Sequence, residues 1–558
     1  MEVSKLEINS PSTAVSDFHI PSKTKDGKQE EVNSIYSQSV TKKSYGTQNI
    51  EALDSTSHEG GNVRYKVKDR NFSFLTDLNL GINLPPLEVK DKFKDTVRIC
   101  YPNNLAHAII NESNLIINKG NLPIQSFSTV SLDNYMEKMM SGDEKQDYMR
   151  RIGNIPELTN WATKLPKMEL TIPQLFSFFR PDTSSGNNNN RPSGALPLFY
   201  DEDKIFFEYH FKLLLLRLIK MEARNIIEDE DDEEKDGKKS KKTIKNGGRD
   251  KDLKGKDGKK KLESKNSVSN SKHSNDSSDE SEKDGENEDG EESNKRYTEW
   301  TKVEVDMDVL KNVDDEFCLK KPTLWGTFDL IPPEEISFYK DAKNYGPYDI
   351  WVKDFIVFKA KSDVKLAYTQ DEKNIQPVEI AFNSPYACKS IHWLARNKES
   401  EKYNQPSNYT TNTEDSNSGW SPLGNITLMY NNGTIKINDM KSQTISDIHN
   451  RYFPGKPIIS GFGAISICKN AQTIGSDFTI DITNGMKATI KIIDQNPYIF
   501  NDADDNTPGN KLDKMLGKKK KIRGPDISFT AYVIAQVEKK LSFEVGNKVV
   551  IHPIERKK

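Results

Sequence analysis

Apolar and polar side chains alternate with a period of two in runs spread along this 558-residue chain. Ile205, Phe207, Tyr209 and Phe211 point one way while Glu208, His210 and Lys212 point the other. Val63, Tyr65 and Val67 alternate with Arg64, Lys66 and Lys68, and Ala488, Ile490 and Ile492 with Lys487, Thr489 and Lys491. Phe529, Ala531, Val533, Ala535 and Val537 share one face near the end. Half-buried strands have this period and helices do not, so the chain reads as all-β. Turn formers such as Asn431-Asn-Gly433 and Asn484-Gly485 separate the runs. One helix stands out: Leu132, Tyr135, Met136, Met139 and Met140 form a stripe at helical spacing, with Asp133, Glu137 and Lys138 off it. A second short helix is expected from Pro332-Pro333, with Glu334 and Glu335 complementing its dipole.

Composition divides the chain into four parts. Residues 1–61 are rich in Ser, Thr, Lys, Glu and Asn and read as a disordered arm, because few apolar groups offset the entropy of ordering. Residues 228–295 run from the acidic block Glu228–Glu234 through Lys, Gly and Ser tracts to a second acidic stretch, and hold almost nothing that could fill a core. They leave 62–227 and 296–558 as two folded parts. Asn187–Asn190 and Asp502–Arg523 read as surface excursions.

Overall charge is nearly balanced, 81 basic against 84 acidic residues, so no nucleic-acid partner is expected. No uncharged apolar run approaches the ~18 residues of a membrane span, and the N-terminal stretch lacks the features of a signal peptide. The four cysteines (Cys100, Cys318, Cys388, Cys468) are too scattered to signal zinc or a disulfide framework. His107 and His210 have no second histidine at metal spacing and read as structural imidazoles. No phosphate-binding loop, nucleophile elbow or zinc-protease motif occurs, so no catalytic, cofactor-binding or metal residue is assigned, no cofactor is expected and the chain reads as non-enzymatic. Asn71, Asn111, Asn275, Asn408, Asn425 and Asn432 head Asn-x-Ser/Thr triplets, a pattern that an Asn-rich chain produces by chance.

Short signatures follow one another in a fixed order: Asn104-Leu-Ala-His107-Ala-Ile109, Ile152-Gly-Asn154, Ile172-Pro-Gln-Leu-Phe-Ser-Phe-Phe179 and Ala195-Leu-Pro-Leu198, closing in Ile205–Phe211. Upstream stand Phe72–Leu78 and Ile82–Pro86. In the second half come Leu324–Leu330 with Glu334–Tyr339, Val378–Pro385, Ser390–Arg396, Ile426–Asn432 and the stretch Phe462–Ile492. Each motif alone is weak, but their collinear order resembles the double jelly-roll major capsid proteins of large double-stranded DNA viruses. In that resemblance Leu324–Leu330 opens the second jelly roll, and Phe462–Ile492 is similar to the family's paired late strands.

The resemblance implies two consecutive eight-stranded antiparallel jelly rolls with short inserted helices and long loops, and a structural role. Three chains would form a homotrimeric, pseudo-hexameric capsomer of an icosahedral shell, assembled in the host cytoplasm and residing in the virion. Implied partners are further copies, neighbouring capsomers and minor capsid proteins, with any internal viral membrane reached only through other proteins. A minor or paralogous capsid protein of the same fold is the runner-up. A two-domain β-sandwich carbohydrate-binding module is the alternative from another class. Candidate contact aromatics are Phe176, Phe178, Phe179, Trp161, Trp325, Tyr345, Tyr348, Trp351 and Trp420; core is favoured for Phe176–Phe179 and for Trp393. The insertion 228–295 reads as a solvated loop and a tether to a neighbouring shell component.

Overall fold

The computed structural model describes residues 20–23, 29–32, 47–57, 61–67, 73–117, 123–179, 196–198, 205–227, 296–330, 348–366, 375, 377–413, 416, 419–455, 461–471, 478–493, 527–544 and 548–553. The Pro332 helix, Asn187–Asn190, the insertion 228–295, Asp502–Arg523 and Tyr345 lie outside them.

The first sandwich begins earlier in the chain than composition suggests. Its strands are β1 (Thr47–Ala52), β2 (Asp54–Ser57), β3 (Asn62–Lys66), β4 (Phe74–Leu84), β5 (Ile110–Ile117), β6 (Gln125–Ser128), β7 (Met168–Pro173), β8 (Ile205–Phe211) and β9 (Thr323–Leu330). One sheet runs β6-β5-β8-β3-β2 and the other β7-β4-β9-β1, all antiparallel. The reading of residues 1–61 as an arm is therefore corrected at its C-terminal end. Both β1 and β2 are sheet edges, where backbone hydrogen bonds to one neighbour hold a strand whose side chains need not be apolar. Residues 296–330 also change place. Their position after the insertion assigns them to the second jelly roll, but β9 pairs with β4 along Thr323–Asp329, and Thr301–Val303 pairs with Ala223–Met221. Composition marks an insertion and not which sheet the returning chain joins.

The second sandwich uses β10 (Tyr348–Lys359), β11 (Val378–Phe382), β12 (Ala387–Asn397), β13 (Leu423–Tyr430), β14 (Ile435–Lys441), β15 (Phe462–Ser466), β16 (Met486–Ile492) and β17 (Ser528–Glu544). Its sheets run β10-β17-β12-β15 and β11-β16-β13-β14. Counting these eight in chain order gives 1-8-3-6 and 2-7-4-5, the interlocked Greek-key order of a jelly roll. Phe462–Ser466 and Met486–Ile492 sit in opposite sheets and do not pair with each other, because each late strand joins a different earlier one.

Alternation places the side chains as expected. Phe529, Ala531, Val533, Ala535 and Val537 of β17 enter the second core with Ile391 and Trp393 of β12 and with Ala488, Ile490 and Ile492 of β16. The turn at Asn431–Gly433 and the one before β16 are closed by Gly433 and Gly485 at φ +86° and +85°, a backbone state that glycine adopts without cost. Trp393 is fully buried and donates from Nε1 to Ser442 Oγ at 2.7 Å. Gly463 of β15 lies against its indole, with no room for a Cβ. Replacing Gly463 by alanine is expected to cost ~1–3 kcal/mol through overpacking, measured as a lower urea midpoint followed by tryptophan fluorescence.

Candidate functional site

The most densely built polar region lies where the two sandwiches meet. In the sheet β10-β17-β12-β15, the strands β17, β12 and β15 are buried on both faces, and the edge strand β10 is partly so. Tyr532, Ile534 and Leu541 of β17, Leu394 of β12 and Val352 and Phe355 of β10 belong to the core of the first sandwich, whereas their strand neighbours face the second. The helix α2 (Thr129–Met139) packs in this seam between α1 (Leu105–Ile109) and α3 (Gly142–Arg151). Ser128 caps it by accepting from the Ser131 N–H, with the Ser131 hydroxyl accepting from the Ser128 N–H in return. Its apolar stripe lies in the first core as the spacing predicts. Asp133, Asn134, Glu137 and Lys138, off that stripe, are buried too.

Two of the sequence signatures lock together to position this helix. Asn104 sits at φ 56°, a left-handed conformation that asparagine tolerates. Its N–H donates to Asn154 Oδ1, and Asn154 Nδ2 donates to Asn104 Oδ1, both at 2.6 Å. The Ala106 N–H bonds the Ile152 carbonyl at 3.0 Å, and Gly153, at φ +95°, leaves only 3.2 Å between a would-be Cβ and Leu105 Cβ. His107 is thereby aimed at α2. Its Nδ1 donates to Asp133 Oδ1 at 2.7 Å, the proton being placed there because a carboxylate only accepts; Nε2 meets the Tyr148 hydroxyl at 3.0 Å. Asn104 Nδ2 also donates to Asp133 Oδ1, at 3.0 Å, and Tyr409 of the second sandwich donates to Oδ2 at 2.7 Å. Burial above all, with the Asp133 carboxylate beside it, pushes the Tyr409 phenol well above its ordinary value, so it stays a donor. Three buried donors from both sandwiches converge on one carboxylate.

Further clasps extend the seam. Lys539 Nζ, on β17, bonds Asp354 Oδ2 at 2.6 Å and the Ile124 carbonyl at 2.7 Å, while the Ser126 N–H donates to Asp354 Oδ1 at 3.1 Å. Ser177 Oγ and Gln125 Nε2 both donate to the Lys353 carbonyl, at 2.9 and 2.5 Å. Asn404 Nδ2 bonds the carbonyls of Leu216 and Ile219 at 2.8 and 2.6 Å. Phe355 fills the apolar part, with ring centroids 5.5 Å from Tyr135 and 6.0 Å from Phe127. Ser390 Oγ bonds Gln536 Oε1 and lies 2.8 Å from His392 Nε2, and burial lowers the His392 imidazole to about 3, holding it neutral. Lys389 and Glu538 pair at 2.7 Å. Lys138 is the exception: among the described residues its Nζ reaches only Asn450 Oδ1, at 3.4 Å, and burial lowers its amine to about 8.

His107 is thus hydrogen-bonded through both ring nitrogens, and His210 Nδ1 lies 3.1 Å from Asn111 Nδ2. Phe176, Phe178, Phe179 and Trp393 are core. Trp161 packs its ring 5.5 Å from the Arg98 guanidinium and 5.2 Å from the Lys220 ammonium. Trp351 is half-buried, whereas Trp325 and Trp420 are exposed. Among the triplet asparagines, Asn408 is buried and bonded to Asn412, while Asn432 is exposed on a turn; Asn71 and Asn275 lie outside the described residues. Among the described residues no group of three or more His, Cys, Asp and Glu could hold a metal, and no helix is long and apolar enough to cross a membrane. Asp133, Tyr409, Asn404 and the Asp354–Lys539 pair carry no signal in the sequence, because each gains its partner from a distant segment.

No protein-family model matches the chain, and no curated protein does. Among solved structures, the PBCV-1 virus capsid aligns with a TM-score of 0.56 at 9% identity, covering 94% of this chain and 100% of that one. The chain has the double jelly-roll fold. The Faustovirus major capsid protein aligns with a TM-score of 0.53 at 6% identity, over 91% of this chain and 92% of its own. At such identities the double jelly roll is shared as a fold, and its seam is built from this chain's own residues.

Two outcomes follow for the seam. Asp133→Ala strands buried donors and is expected to cost ~3–5 kcal/mol, against ~1 kcal/mol for Tyr409→Phe, read from urea midpoints. Lys138 carries a depressed folded value, about 8 against 10.5 unfolded. The unfolded chain therefore binds the extra proton between those values, and the burial penalty is fully present below about 8 and gone above 10.5. Lys138→Met should raise the melting temperature at pH 7, with an advantage that shrinks between pH 8 and 10.5.

Proposed function

We propose that this chain is a structural capsid subunit: a double jelly roll that trimerises into pseudo-hexameric capsomers of an icosahedral viral shell. The observation that carries this reading is the seam. A shell tile must transmit load across its width without hinging, and a sheet buried on both faces, crossed by hydrogen-bonded buried charges, joins two sandwiches into one block. The fold shared with the PBCV-1 capsid and the Faustovirus major capsid protein supports the same role.

On this reading the partners are other copies, neighbouring capsomers and minor capsid proteins, the place of residence is the virion and assembly occurs in the host cytoplasm. Residues 228–295 would be a tether to a neighbouring component. Light scattering of the purified chain should give a stable species near three times 63.5 kDa, and proteomics of purified virions should find it among the shell proteins. A glycan-binding monomer absent from particles would overturn the proposal in favour of a carbohydrate-binding module.

A further inference from the structure

Each sandwich turns the outer face of one sheet to solvent, and the two faces differ in charge. On the outer side, β4, β7 and β9 carry Asp77, Glu169 and Asp329, and the strands β1, β4, β7 and β9 contain no Lys, Arg or His; Glu51 pairs with Gly326 on the opposite side, with its Oε2 buried. The strands β11, β13, β14 and β16 contain Lys436, Lys441, Lys487 and Lys491 against Glu379 and Asp439, four bases to two acids. Glu379 and Asp439 each hold one lysine, Lys487 at 2.6 Å and Lys491 at 2.8 Å, which leaves Lys436 and Lys441 exposed on β14 as the excess.

The acidic face also carries an apolar shelf. Thr327 pairs with Ile50 and Trp325 with Ala52 and Asn79, so Trp325, Thr327, Ile50 and Asn79 share the outward side. Ile50 is 69% exposed and Trp325 39%. Gly81 lets the indole lie against the sheet, since a Cβ there would stand 3.3 Å from Trp325 Nε1. A tryptophan held flat with one ring face open is a suitable anchor for a protein contact.

We propose that the acidic, tryptophan-bearing face of the first sandwich docks head to tail on the lysine-rich face of the second sandwich of another copy of this chain. Charge complementarity selects that occupant over a like copy of the same face, which would set acids against acids. A contact between two different surfaces is heterologous, and it closes into a ring when the rotation fits. The inference rests on the capsomer reading and adds which surfaces meet in it.

The test uses the full chain and light scattering across a dilution series. The wild type should be a trimer whose dissociation midpoint rises with salt. Glu169→Lys with Thr327→Lys, or Lys436→Glu with Lys441→Glu, should each raise that midpoint at least tenfold, as should Trp325→Ser alone. The four charge changes combined in one chain should restore association, because the swapped faces match again. Melting temperatures within about 3 °C of wild type exclude misfolding as the cause. A wild-type trimer unmoved by either pair, or loss without rescue in the combined chain, overturns this interface and leaves the capsomer reading standing. A wild-type monomer at every concentration overturns both.

Discussion

One sheet of the second sandwich is buried on both faces along its strands β17, β12 and β15. Its inner side packs into its own jelly roll and its outer side against the first, so β17 is buried over almost its whole described length. Any polar side chain on such a strand must find a partner or pay the cost of desolvation. The Lys389–Glu538 and Lys539–Asp354 pairs and the Ser390–Gln536 bond meet that demand, as does the neutral state of His392. Desolvation makes such pairs poor sources of net stability, but their directionality allows one docking geometry where an all-apolar face would allow several.

The helix α2 extends the same logic to the first sandwich. It is an insertion between strands, yet it is buried on every side because the second sandwich covers what the first leaves open. Asp133 collects His107, Asn104 and Tyr409, so the local fold of residues 104–154 and the placement of the second sandwich depend on one carboxylate. Gly455 completes the join by bringing its N–H to the Lys138 carbonyl at 3.0 Å, an approach that a side chain would block.

Much of this was legible beforehand where the cause is local. Period-two runs located β3, β8, β16 and β17, and the Asn-Gly turns fell where glycine is needed at positive φ. Local pattern is silent where pairing decides structure. β1 and β2 look like arm because an edge strand is held by backbone hydrogen bonds, and β9 looks like the start of a second domain because it follows the insertion in sequence. The ordered signatures pointed to the right fold, and in Asn104–His107 and Ile152–Asn154 they marked residues that do touch.

By itself, the sequence determined the all-β class, the helical stripe of α2, the turns and most strand cores, since periodicity and backbone preference act within a few residues. The tertiary structure alone decided that the second face of β17 and the polar side of α2 are interior. Burial on a second side depends on a surface contributed from hundreds of residues away, and no local pattern distinguishes a charge that will meet water from one that will meet its counter-ion.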